Sequence, residues 1–65
     1  MRVNIMFGLG HVAENEADWE TIRLLQSLIE QLTNKPEPMK AGDVVIIRDI
    51  NNNRVGIADF LEDRQ

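Results

Sequence analysis

The segment Gly8-Leu9-Gly10-His11-Val12-Ala13 has the G-x-G-x-x-A spacing. In a dinucleotide-binding unit such glycines admit a tight turn and a pyrophosphate, which rests on the N-terminus of the next helix. The segment follows an alternating stretch and precedes a helical one, as that motif requires. Three features oppose the full site. Helix-start signals come at Asn15, not at the second glycine. The acidic residue about 20 positions on would be Glu30, inside the predicted helix rather than after a second strand. A chain of 65 residues is also too short for a doubly wound sheet around a dinucleotide. The two glycines read first as the closure of a strand-to-helix turn. A nucleotide or phosphate contact at Gly8 and Gly10 is an alternative function.

Glu14, Glu16, Asp18 and Glu20 put four acids into seven residues. Acids in the first turn of a helix are favoured by its dipole, which explains them without a ligand. The same charges could attract a basic partner surface. Both readings stand at this level. No spacing of the calcium-loop type, with its required glycine, is present.

Other chemistry is sparse. His11 stands alone, with Glu14 the nearest acid in sequence, and reads as a loop residue. The chain has no Cys and no Tyr, and Ser27 falls in the middle of the predicted helix. Neither a nucleophile with its base nor a thiolate or imidazole metal set can be assembled. The expectation is a non-enzyme without metal or cofactor. Trp19, the single Trp, lies toward the polar side of the helix. It reads as core-edge packing or as an interface anchor, since Trp is enriched among binding hot spots.

The elements that position these residues follow from periodicity. Val3, Ile5 and Phe7 alternate with Asn4 as in a strand over residues 2–7. Ile22, Leu25, Ile29 and Leu32 repeat with helical period, which predicts a helix over 16–34 with these four on its core face. Asn15 is the expected N-cap, with Asp18 three residues on. Asn34 can close the helix in a left-handed conformation before Pro36. Leu24 and Leu28 lie beyond the main stripe, so the apolar arc exceeds about 150° at helical periodicity. One sheet does not easily cover that arc, and the Leu24/Leu28 edge is the expected interface.

Residues 35–42 form an extended connector containing Pro36 and Pro38. Residues 43–50 and 54–61 read as a β-hairpin around Asn51, Asn52 and Asn53. With Asn51 and Asn52 central, Asp49 would face Arg54. Gly56 marks a bulge or a point of close packing. Val45 and Ile47 point to one face and Val44 and Ile46 to the other, so the hairpin is apolar on both sides. Together these elements predict a single α+β domain over 1–65: β-α-β-β, with a three-stranded, mostly antiparallel sheet packed on one long helix.

Composition bounds the function. With 43 % apolar and 28 % charged residues the chain is ordinary globular material, not collagen-like, low-complexity or membrane-spanning. A net charge of −4 argues against an electrostatic nucleic-acid footprint. The N-terminal stretch lacks the pattern of a secretory signal, and the chain reads as cytoplasmic. A domain this small buries only about 60 % of its unfolded surface. Lacking disulfides and metal, it is expected to gain stability from a partner, either as a homodimer or in a complex, using Leu24, Leu28 or the outer face of the sheet.

Lys40-Ala41-Gly42-Asp43-Val44-Val45, followed by Arg54-Val55-Gly56-Ile57, resembles the entry strand and return of SH3-like barrels. That resemblance implies an RNA or ribosomal partner, and it frames a second reading: a nucleic-acid- or ribosome-associated module using the 43–61 hairpin with Lys40, Arg48 and Arg54. The strand-helix-hairpin order resembles small tautomerases, whose chemistry uses an N-terminal proline; Arg2 occupies that place here, so the activity does not carry over. Small acidic, Cys-free proteins of this kind include bacterial and phage regulators of host or defence enzymes. By that association the leading expectation is a protein-binding regulator, adaptor or inhibitor, acting in oligomeric form. Trp19, Leu24, Leu28, Glu14, Glu16, Asp18 and Glu20 are its candidate contact residues.

Overall fold

A computed structural model describes residues 1–10 and 12–63. The elements are β1 (Arg2–Phe7), a 3-10 turn (Glu14–Glu16), α1 (Ala17–Thr33), β2 (Val44–Arg48) and β3 (Arg54–Leu61). This is the expected β-α-β-β order in the α+β class. The strands form one sheet in the order β1-β3-β2, with both pairings antiparallel. None of the helices among the described residues is long and apolar enough to cross a membrane. His11 lies outside the described residues.

Strand faces follow the period of two. Val3, Ile5 and Phe7 stand opposite Phe60, Ala58 and Gly56, and Val45 and Ile47 stand opposite Ala58 and Gly56. These residues share one face. The core forms there, from Val45, Ile47, Ala58 and Phe60 of the sheet with Leu24 and Leu28 of the helix. Met6, Ile57, Val44 and Ile46 share the reverse face, where Met6 and Val44 remain exposed. Gly56 is a point of close packing. A Cβ there would overlap the Met6 carbonyl oxygen and the Phe7 Cβ, so only glycine lets β1 close against β3 at this end.

The phase of the helix differs from the expectation. Leu24 and Leu28 are its buried residues, whereas Ile22, Leu25 and Ile29 are exposed and Leu32 is half-buried. The buried face is rotated by about 100° from the predicted stripe, at 3.6 residues per turn. The cause is where the helix lies. It packs along β2, and Leu24 and Leu28 meet the inward-pointing Val45 and Ile47. Leu24 and Leu28 therefore belong to the core and not to the accessible edge expected of them.

The helix ends also differ. Asn15 falls inside the 3-10 turn, and the N-cap position of α1 is Glu16, with no side-chain cap bond. The turn itself caps the start: the Glu16 N–H donates to the Ala13 carbonyl at 2.9 Å. Asn34 has φ −89° instead of a left-handed value, and its N–H donates to the Glu30 carbonyl at 3.0 Å, continuing the helical pattern.

At the hairpin tip, Arg54 faces Arg48 rather than Asp49, because the register shifts between Ile47 and Arg48. Asp49 is drawn into the turn. Its Oδ1 accepts the N–H groups of Asn51 and Asn53 at 2.9 and 2.8 Å, which would otherwise lack partners at the tip. Asn52 takes the left-handed conformation there, at φ 67°.

Candidate protein-docking groove

The hairpin tip comes to rest beside the first half of α1. Between them lies a groove of about 660 Å³. Its apolar lining is Val12 from the loop, Trp19 and Ile22 from the helix, and Ile50 from the tip. Trp19 is 74 % exposed and Ile50 80 % exposed. Large apolar side chains rarely stand so open together without a binding role.

The groove is rimmed by charge. Arg23 Nε donates to Glu20 Oε1 at 2.8 Å and Arg23 Nη2 to Glu20 Oε2 at 2.5 Å, a two-pronged pair within one helical turn. The hydrogen bond to Glu20, aided by the charges of Glu20 and Asp49, holds the Arg23 guanidinium above its ordinary range. Arg23 therefore stays a cation. Among the described lining residues, Glu16, Glu20 and Asp49 are three acids beside one cation, Arg23. The Asp49 carboxylate also organises the tip that carries Ile50.

Three of the seven contact residues expected from sequence meet here: Trp19, Glu16 and Glu20. Glu14 and Asp18 are exposed on the same helix start and do not line the groove. Leu24 and Leu28 are in the core. Ile50 and Asp49 carried no sequence signal for this site, since the only hint was an isoleucine beside three asparagines.

The residues of the other two readings lie elsewhere in the fold. Gly10 precedes the first residue of α1, Ala17, by seven positions, with the 3-10 turn between. A Cβ at Gly8 or Gly10 would meet nothing within 4 Å. Arg48 and Arg54 face each other at the hairpin tip, whereas Lys40 lies beyond the other end of β2, where its N–H donates to Asp43 Oδ2 at 2.9 Å. No group of three or more His, Cys, Asp or Glu that could hold a metal ion exists among the described residues. Comparison with protein-family models, curated proteins and solved structures finds no match to the chain.

Proposed function

We propose that the chain is a small protein-binding module that regulates a partner protein through the Trp19 groove. The observation that carries this reading is the convergence of three exposed apolar side chains, Trp19, Ile22 and Ile50, beside three acids and one cation. Such a surface suits a basic amphipathic segment of the partner. Its apolar residues would bury against Trp19 and Ile50, and its Lys or Arg would meet Glu16. The overall charge of −4 favours the same class of partner by steering it in. No step of this function requires bond-making chemistry.

Trp19 is also the probe. Its emission should shift to the blue when a basic amphipathic peptide is added and should not move with the charge-reversed peptide. Trp19→Ala combined with Ile50→Ser should abolish capture of the partner that the intact protein retains from native lysate. Basic peptides leaving Trp19 emission unchanged up to millimolar concentration would refute this reading.

A further inference from the structure

The molecule exposes more surface than a chain of its size should. Its accessible area is 5121 Å². A compact monomer of 7.4 kDa exposes about 4,200 Å² by the usual mass scaling. The excess of about 900 Å² is close to the roughly 800 Å² that each partner contributes to a standard interface. The radius of gyration agrees: 13.0 Å against about 11 Å for a compact domain of this length.

Part of that surface lies along the edges of the sheet, and the two edges differ. On the β2 edge, Gln31 Nε2 donates to the outward-pointing Ile46 carbonyl at 3.3 Å, so a helix side chain lies over that edge. Covering an edge in this way blocks further strand pairing. The β1 edge has no such protection among the described residues. Gly8 donates to the Val55 carbonyl, which sets the alternation: Arg2, Asn4 and Met6 bond toward β3. The N–H and C=O groups of Val3, Ile5 and Phe7 therefore point out along the free edge. Val3 and Ile5 are also 45 % and 47 % exposed, because the helix packs along β2, two strands away.

We infer that β1 pairs antiparallel with β1 of a second copy of this chain, joining two sheets into one of six strands. The register follows from the free groups. Only pairing Ile5 with Ile5 of the partner copy, and Val3 with Phe7, engages all three outward-pointing residues of each strand. The same register stacks apolar side chain on apolar side chain on the helix-bearing face. Arg2, the one charged residue of β1, then lies at opposite ends of the two strands and meets no like charge. This surface is on the opposite edge of the sheet from the Trp19 groove, so the inference does not depend on the proposed function.

Sedimentation equilibrium tests it. At about 100 µM chain the protein should run at twice the chain mass. Ile5→Lys and Ile5→Glu should each raise the dissociation constant at least about tenfold, because like charges would face each other across the two-fold axis. Mixing the two variants should restore a mixed dimer, a result that requires Ile5 to face Ile5. Should the charged variants fail to fold, Ile5→Cys gives an independent measure, since the chain has no other cysteine. Directly opposed, bonded residues have Cα atoms about 5.5 Å apart, within disulfide reach. Ile5→Cys should cross-link rapidly on oxidation, and Glu37→Cys on the connector should not. A wild-type monomer at that concentration would overturn the inference. So would dimers that persist in both charged variants, which would assign association to the reverse face of the sheet, or an Ile5→Cys variant that cross-links no faster than Glu37→Cys.

Discussion

Replacing Leu24 by Ala should cost this domain most of its stability, whereas replacing Ile29 by Ala should cost little. Leu24 is fully buried against Val45 and Ile47, and Ile29, five residues further along the same helix, is 62 % exposed. A buried Leu→Ala change removes transfer free energy and leaves a cavity, together about 3–5 kcal/mol. A 65-residue domain holds roughly 3–10 kcal/mol in total. The Leu24 variant should therefore be partly or wholly unfolded at 25 °C, or melt at least about 12 °C lower if it still folds. At Ile29 little buried area is lost and Ala is the better helix former, so the change should stay within about 1 kcal/mol. Urea unfolding followed by helical circular dichroism, at one fixed chain concentration, measures both. Trp19 emission is a poor probe of unfolding here, because the indole is already exposed. Equal losses at the two positions, or a larger loss at Ile29, would refute the placement of the helix over β2.

Further expectations concern the turns and the groove. Gly56→Ala should destabilise by more than about 2 kcal/mol, since its Cβ would overlap β1 backbone, and hydrogen exchange should show the β1 amides losing protection first. Asp49→Ala leaves the Asn51 and Asn53 N–H groups without their acceptor and should cost about 1–2 kcal/mol in thermal or urea unfolding. Asn52→Val should cost about 1–2 kcal/mol from its left-handed backbone, and Asn52→Gly should be neutral or slightly stabilising in the same assay. Trp19→Ala should change stability by less than about 0.5 kcal/mol while removing partner binding, which separates a contact residue from a core residue.

Element order, strand faces and the place of the hairpin are legible in the amino-acid sequence alone. A strand has only two faces, so the alternation of Val3, Ile5 and Phe7, or of Val45 and Ile47, leaves one binary choice that burial resolves. A helix has no such limit. With aliphatic side chains spread over more than about 150°, periodicity identifies the helix but leaves open which part of the arc is covered. Tertiary structure settled that by laying α1 along β2, which buried Leu24 and Leu28 and left Ile22, Leu25 and Ile29 open. The groove has the same origin. Trp19, Glu16 and Glu20 were visible as a local cluster, but Ile50 joins them only where the hairpin tip lies beside the helix. Contacts within one turn or one strand are short-range and appear as spacing. Which strand ends at an open edge, and which distant loop closes a groove, depends on chain paths that meet only in the folded molecule.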